Sequence, residues 1–248
     1  AGLVAKQLGK PFVVTARGTD LSLIADYAKP RSMILDTAAR ASASIGVCRA
    51  LMDRLAELGA DPEKLHVLRN GVDLERFQPV ERETARRQLN LPLDRRIMLS
   101  VGLLIERKGH HIAIEALSQL KDHLLVIAGS GPEFASLQRL AKNLGVEDRV
   151  RFVGQIPNEQ LKLWYSAADI LALCSSREGW ANVLLEAMAC GTPVVATNIW
   201  GTPEVVSCPS AGVLMKCRDA ASLVEAVTTL DASASSREKT RAYAEQYS

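Results

Sequence analysis

Two acids, Glu178 and Glu186, stand eight positions apart in the stretch REGWANVLLEAMACGTPVVAT, residues 177–197. Glu186 is the lone acid of a helical run whose neighbours are Val183, Leu184, Leu185, Ala187, Met188 and Ala189. A helix apolar on every side is normally buried, and a carboxylate inside it is expensive unless a partner satisfies it. Gly179, Trp180, Ala181 and Asn182 precede or begin this helix, so their N–H groups point out of its positive end, which suits a pyrophosphate. Glu186 lies about one turn further in, roughly 6 Å along the axis at 1.5 Å per residue, and Glu178 lies in the preceding loop. The acids therefore flank a phosphate position rather than face one shared atom. An elongated ligand with hydroxyls at both ends and phosphates between, such as a nucleotide sugar, fits this arrangement. Glu186 would take the ribose diol, as the acidic residue of dinucleotide folds does, and Glu178 the hexose, through charge-assisted bonds of roughly 1.5–3 kcal/mol each. The competing reading makes Glu186 an ordinary surface residue, and its apolar neighbours weigh against that.

Two further corners carry chemistry less specifically. In VGLLIERKGHHIAIEAL, Lys108-Gly109 opens a helix, where an ammonium suits a phosphate or simply faces solvent. In AGSGPEF, the turn Gly129-Ser130-Gly131-Pro132 permits close backbone approach to a ligand, or merely makes a tight turn. His66, His110, His111 and His123 have no ligand-like company, so solvated or capping roles are expected rather than metal binding. The five cysteines (Cys48, Cys174, Cys190, Cys208, Cys217) form no C-x-x-C pair. They read as reduced thiols of a cytosolic protein, with Cys174 and Cys190 packing as small hydrophobes.

The elements that must position these groups are legible as strand–helix alternation from about Ile97 onward. IMLSVG, HLLVIAG, VRFVG, DILALC, PVVAT and GVLM alternate with HHIAIEALSQL, EFASLQRLAKNLG, NEQLKLWYSAA, NVLLEAMAC, PEVV and AASLVEAVTTL. Near-continuous Val/Ile/Leu strands separated by helices predict a parallel sheet covered on both faces. Earlier, PFVVTA, SIGV and HVLRN read as strands, with the helix RALMDRLAELG between the last two. A linker is expected at about residues 71–84, where Asn-Gly, Asp and Pro break the pattern. The roughly 80 residues before it look like the back half of a doubly wound domain. The tail DASASSREKTRAYAEQYS reads as a loose polar helix. A net charge of +2 from 30 basic and 28 acidic residues gives no electrostatic case for nucleic acid, and 4% aromatic residues argue against a base-stacking surface. No apolar run reaches membrane-span length, and AGLVAKQLGK does not read as a signal peptide. It lacks an initiating Met, so a fragment is expected.

In combination these motifs resemble the family-four retaining glycosyltransferases of the GT-B fold (glycosyl transferases group 1), from about Lys10 to the last residues. EGWANVLLEAMACGTPVVAT is similar to the double-glutamate signature, VLRNGVDLERFQP to the interdomain segment, ERKG to the phosphate loop, and IAGSGPE and RVRFVGQIP to the base-binding loops. The resemblance implies an α/β GT-B fold of two Rossmann-like doubly wound domains, the N-terminal one only partly present. Residues 1–79 would be the C-terminal half of the acceptor domain plus linker, and 80–248 the donor domain. It implies Glu178 at the donor hexose, Gly179, Trp180, Ala181, Asn182 and Val183 as amides for sugar and phosphate, and Glu186 at the ribose. Lys108, with Arg107, would hold the diphosphate, and Gly131 with Gly154, Gln155 and Ile156 would read the base. Three positions depart from the pattern. Leu103 stands where the family often has arginine, Arg17 where it often has the histidine reaching the donor sugar, and Trp180-Ala181 where Phe and Gly are usual, a change expected to narrow the hexose pocket.

The implied activity is a metal-independent, retaining hexosyl transfer from a UDP- or GDP-linked sugar to an acceptor hydroxyl, with Glu178, Lys108 and Arg17 as catalytic candidates and no separate cofactor. The transition state would be oxocarbenium-like, with residues 70–79 as a hinge. The acceptor would be a glycan or lipid-linked molecule in polysaccharide or glycolipid synthesis. The protein would be cytoplasmic, visiting the inner membrane face through the missing N-terminal part. Donor binding is expected of these residues; turnover is not. A glycoside hydrolase would need carboxylates about 5–9.5 Å apart across one bond and would not use Lys108-Gly109. A non-catalytic sugar-nucleotide-binding module is the alternative.

Overall fold

The computed structural model describes residues 2–233 and 236–248. They form two compact units. The first comprises the residues up to Asn70 with Arg177–Ala181 and Ile199–Glu204; the second comprises Gly71–Ser176, Asn182–Asn198 and Val205–Ser248.

In the first unit the chain runs α1 (Gly2–Leu8), β1 (Val13–Ala16), α2 (Thr19–Ser22), α3 (Ala28–Arg40), β2 (Ala43–Gly46), α4 (Arg49–Glu57) and β3 (Leu65–Val67). The strands form a parallel sheet in the order β1-β2-β3, in register at Val13↔Ala43 and Ser44↔Leu65. Helix α4 buries Leu51, Met52 and Leu55 on one stripe, the spacing expected of an amphipathic helix.

The second unit follows with α5 (Arg82–Gln88), β4 (Arg96–Val101), α6 (His110–Ala116), β5 (His123–Ala128), α7 (Phe134–Asn143), β6 (Val150–Gly154), α8 (Leu161–Ala167), β7 (Ile170–Leu173), α9 (Asn182–Ala189), β8 (Val194–Thr197), α10 (Thr202–Val205), β9 (Gly212–Met215), α11 (Ala220–Asp231) and α12 (Arg237–Ala244). Of these, α10 begins in the segment that belongs to the first unit. The six strands are all parallel, in the order β6-β5-β4-β7-β8-β9. Every residue of β5, β7 and β8 is buried, which is why these segments are continuous apolar runs rather than alternating ones. Ile112 and Ile114 of α6, Leu137 of α7, and Leu223 and Val227 of α11 pack with Leu125 and Ile127 of β5 into the core.

Buried ion pairing fixes the amino ends of the central strands. Asp169 precedes β7. Its backbone N–H donates to the Ile97 carbonyl (2.9 Å), and its carboxylate accepts from the Ile97 N–H (2.6 Å). The same carboxylate takes Arg86 at 2.6 Å and Arg82 at 2.8 Å. Arg86 is 4% exposed and also donates to the carbonyls of Ala167 and Arg95.

Two expectations are corrected here. The expected linker gives way to helix at Arg82, because the Glu81 carboxylate accepts from the N–H groups of Glu83 (2.9 Å) and Thr84 (2.7 Å) and caps α5. The polar tail is not loose. Ala234 and Ser235 lie outside the described residues, but α12 is docked. Arg237 donates to the carbonyls of Ala168, Ser166 and Cys190, and the Tyr243 hydroxyl donates to the Val205 carbonyl. Beyond it the Tyr247 carbonyl accepts from the Val72 N–H at 2.8 Å. The helix reads as polar because, beside the buried Tyr243 and Ala244, its anchors are arginine hydrogen bonds to the backbone carbonyls of strand and helix ends. All five cysteines are free, and burial pushes the Cys174 and Cys190 thiols up to about 12 and Cys48 up to about 11. No described helix is long and apolar enough to cross a membrane.

Arg86→Met leaves the Asp169 charge buried with fewer partners, and a loss of about 3–5 kcal/mol in stability is expected. Arg82→Met, at a side chain 45% exposed, is expected to cost less than about 1 kcal/mol. Urea denaturation of the two variants checks the contrast, and equal losses would refute it.

Candidate functional site

In an open parallel sheet, ligands bind outside the carboxyl ends of the strands, where the strand order reverses. Here the order reverses between β4 and β7. The loop after β4 begins at Gly102 (φ 152°) and continues to a single tight turn at Glu106–Lys108, closed by Gly109 (φ 72°). A Cβ on Gly109 would stand 2.1 Å from the Cys174 carbonyl oxygen, so only glycine lets this loop press against the end of β7. The Ser176 N–H donates to the Arg107 carbonyl at 2.8 Å across the same junction. Lys108 lays its stem over Gly102, with Cδ and Cε 3.5 Å from where a Cβ would sit.

A cavity of about 170 Å³ opens at the carboxyl ends of β4, β5 and β6. Gly102 and Leu103 line it from the first loop, Gly129 and Ser130 from the second, and Gln155 and Ile156 from the third. The loops touch backbone to backbone: a Cβ on Gly129 would lie 1.8 Å from the Gly102 carbonyl oxygen. Of the residues predicted for the base, Gln155 and Ile156 line the cavity. Gly154 (φ 72°) turns the chain into it, and its carbonyl accepts from the Gly129 N–H at 2.7 Å. Gly131 is not in the lining. The Leu104 backbone fills the space its side chain would take, at 2.5 Å, so loop packing accounts for that glycine.

His110 corrects an expectation: it is neither solvated nor a cap but 2% exposed. Its Nε2 stands 3.1 Å from the Leu103 carbonyl, which only accepts, so Nε2 carries the proton and Nδ1 accepts from the Ser100 hydroxyl at 2.9 Å. Burial lowers its pKa to about 4, so a neutral imidazole fastens Leu103 to β4. Position alone hid this, since a histidine after Lys-Gly looks like a polar helix start. His123 is buried as well.

Asn182, Val183 and Glu186 occupy the first turns of α9, with Asn182 exposed and the other two half-buried. The partner of Glu186 is the hydroxyl of Tyr165 on α8, which donates to Oε2 at 2.8 Å. Burial raises the Glu186 pKa, and the Tyr165 hydrogen bond opposes that rise. Oε1 faces no hydrogen-bond donor among the described residues. Tyr165 lies 21 positions upstream, and nothing in the sequence pairs it with the acid.

The first unit holds the remaining predicted residues: Arg17, Glu178, Gly179, Trp180 and Ala181. The backbone N–H groups of Arg17, Gly18 and Leu21 all donate to the Asp20 carboxylate, at 2.9, 2.8 and 3.0 Å, which fixes the loop carrying Arg17. Gly179 is threaded between two segments of the chain, at Arg17 and at Gly201. A Cβ on it would stand 2.0 Å from the Arg17 carbonyl oxygen, and a Cβ on Gly201 would stand 2.0 Å from the Gly179 carbonyl oxygen. Trp180 is buried under the Arg69 guanidinium, 5.9 Å from the ring centroid. Arg69 pairs with Glu204, which caps α4 by accepting from the Arg49 N–H at 2.6 Å. Sequence reasoning missed Asp20, Arg69 and Glu204; only Asp20, in the turn Arg-Gly-Thr-Asp, carries a local capping signal. Among the described residues no cluster of three or more His, Cys, Asp or Glu side chains is placed to hold a metal ion.

A parallel sheet whose order reverses between β4 and β7, with a glycine-lined cavity at the carboxyl ends of β4, β5 and β6, defines the doubly wound α/β class. Within it, the model described as "Glycosyl transferases group 1" matches residues 81–247, and that described as "Glycosyltransferase Family 4" matches residues 1–76. The chain belongs to the glycosyl transferases group 1 family. D-inositol 3-phosphate glycosyltransferase 1 of Catenulispora acidiphila is 33% identical over 250 residues, taking in 92% of this chain and 60% of that protein. D-inositol 3-phosphate glycosyltransferase 2 of the same organism is 36% identical over 185 residues, 69% of this chain and 43% of that one. The chain thus spans between 43% and 60% of these relatives' lengths. Among solved structures, Anabaena HepE in complex with UDP and glucose superposes at a TM-score of 0.88 with 24% identity, over 99% of this chain and 70% of that one. The sucrose-phosphate synthase of Thermosynechococcus elongatus superposes at 0.87 with 28% identity, over 99% and 67%. The fold is the α/β GT-B fold that the motifs implied.

Tyr165→Phe removes the donor that the described residues offer to the Glu186 carboxylate. Its pKa is expected to rise further, because a hydrogen bond to the charged form is lost. Carboxyl-carbon NMR titration reads this directly, and an unchanged or lowered value would refute the pairing.

Proposed function

We propose that this chain carries the donor-binding part of a retaining, metal-independent glycosyltransferase that moves a hexose from a nucleoside diphosphate to an acceptor hydroxyl. The observation that carries the reading is the cavity at the ends of β4, β5 and β6 with Lys108 lying over its Gly102 wall. A flat base fits between glycine backbones and Leu103, and an ammonium beside it suits the diphosphate. Glu186, with Oε2 engaged by Tyr165 and Oε1 free to accept, suits the vicinal hydroxyls of a ribose. Membership of the family supports the reaction type; the retaining course and the roles of Glu178 at the hexose and Arg17 at the sugar or phosphate come from the motif resemblance.

On this reading the bond between the anomeric carbon and the β-phosphate oxygen breaks as the acceptor oxygen bonds to that carbon on the same face. The acceptor proton passes to the leaving phosphate oxygen. Charge develops on the diphosphate while the sugar becomes oxocarbenium-like. The protein's contribution is electrostatic, from Lys108, Arg107 and the amino end of α9. The resemblance implies a glycan or lipid-linked acceptor, whereas the relatives are named for D-inositol 3-phosphate. That makes a phosphorylated polyol the first acceptor to offer.

Calorimetry of the full chain with UDP and with GDP tests the donor site. One of the two is expected to bind saturably without added metal. Glu186→Ala is expected to weaken it at least tenfold, the equivalent of one charge-assisted hydrogen bond of roughly 1.5–3 kcal/mol. Because the Glu186 pKa is raised, protonation occurs above the ordinary glutamate range. Affinity is therefore expected to fall with decreasing pH in that window, as the carboxylate acceptor becomes a neutral acid. Binding of neither nucleotide, or equal binding by the variant, would overturn the assignment.

A further inference from the structure

Arg218 lies in the loop between β9 and α11, about 110 positions from the phosphate loop and outside every motif discussed above. Its Nε donates to the Cys174 carbonyl (2.9 Å), its Nη2 to the Glu106 carbonyl (2.9 Å) and its Nη1 to the Glu106 carboxylate (3.1 Å). Cys174 follows the last residue of β7, and Glu106 opens the turn that carries Arg107 and Lys108. One planar guanidinium therefore joins the two loops on either side of the sheet's reversal point. The Glu106 carboxylate is 70% exposed, so the ion pair counts for little. The two carbonyl bonds, one to each loop, are what a rigid fork of donors secures and a flexible ammonium does not.

We propose that Arg218 is a positioning residue for Lys108. It sets where the ammonium stands relative to a bound diphosphate, and it does so through the Glu106–Lys108 turn rather than by touching ligand. The proposal rests on the donor-site reading given above. The Lys108 stem runs over Gly102, a residue of the cavity lining, so its ammonium is aimed by the turn beneath its Cα. Displacement of a charged group by about 1 Å is enough to cost a large part of its effect. Arg218 has all three of its nitrogens engaged by protein acceptors, which sets it apart from a guanidinium held ready for phosphate.

The test is a double-mutant cycle read by calorimetry on the full chain, with UDP, GDP and the corresponding nucleosides as ligands. Arg218→Met is expected to weaken the preferred diphosphate by roughly tenfold, on the scale of a charge-assisted hydrogen bond, while changing nucleoside binding less than about twofold. In a Lys108→Ala background the same substitution is expected to have no further effect. Arg218→Lys is expected to behave like Arg218→Met, since an ammonium donates from a single atom and does not span the Nε and Nη2 positions that reach the two loops. It also carries the cycle if the methionine variant fails to fold. Additive losses from Arg218 and Lys108 would overturn the proposal in favour of direct phosphate contact. Equal losses for diphosphate and nucleoside, or no loss at all, would overturn it in favour of a purely structural role or none. A wild-type chain that binds neither nucleotide refutes the donor site itself and the proposal with it, whereas a binding wild type with uncoupled variants refutes Arg218 alone.

Discussion

The geometry of the six-stranded sheet depends on one buried carboxylate. Asp169 meets Ile97 twice, giving its own N–H to the Ile97 carbonyl and accepting the Ile97 N–H on its side chain. These bonds set β4 against β7 in the register Met98↔Ile170, and β4–β7 is the pair at which the strand order reverses. A carboxylate in this place would be intolerable alone. Arg86, nearly as buried, makes it tolerable and is itself satisfied by carbonyls at Ala167 and Arg95. Such a network adds little net stability over an apolar packing of the same volume. What it supplies is a single register, since slipping either strand by one residue would strand two charges and turn every side chain to the opposite face.

With the amino ends fixed this way, the carboxyl ends are shaped by close backbone contact instead. Gly109 against Cys174 and Gly129 against Gly102 bring peptide groups together where any side chain would collide. Dense peptide packing buries polar groups that must find partners. His110 supplies one such partner without adding charge: burial holds it neutral, and it bridges Ser100 to the Leu103 carbonyl. A charged imidazole there would be repelled by the Lys108 ammonium, and that repulsion adds to burial in holding His110 neutral.

The fold was largely legible because parallel strands covered on both faces are continuous apolar runs. HLLVIA and PVVAT could hardly be anything else, and the double-glutamate stretch located the helix after β7. What escaped reading shares one physical property: it depends on side chains meeting across long sequence separations through hydrogen bonds, which leave no periodicity. Tyr165 and Glu186 meet over 21 positions, and Arg69 and Glu204 over 135. The docked α12 escaped for a related reason, since Arg237 and Arg241 hold it by donating to carbonyls, and a polar sequence gives no sign of that. Candidate residues could be named from their spacing, but their distribution between two units could not, because Glu178 and Glu186 are close in sequence and packed with different bodies.

Cationic side chains at the reversal point are few. Leu103 contributes apolar area, being 58% exposed along the cavity, where the resembling family often places an arginine. On the proposed donor-site reading, attraction for an anionic ligand rests on Lys108, Arg107 and the helix end of α9. A lysine is a flexible point charge that loses rotamer freedom when it is held in one place. Its contribution therefore depends on how much of that restriction is already in place before the ligand arrives. The turn beneath Lys108 is restrained on every side: by Gly109 against Cys174, by the Ser176 N–H on Arg107, and by the fork of Arg218. Where charges are few, the position of each decides more, and these braces converge on the turn that carries Lys108.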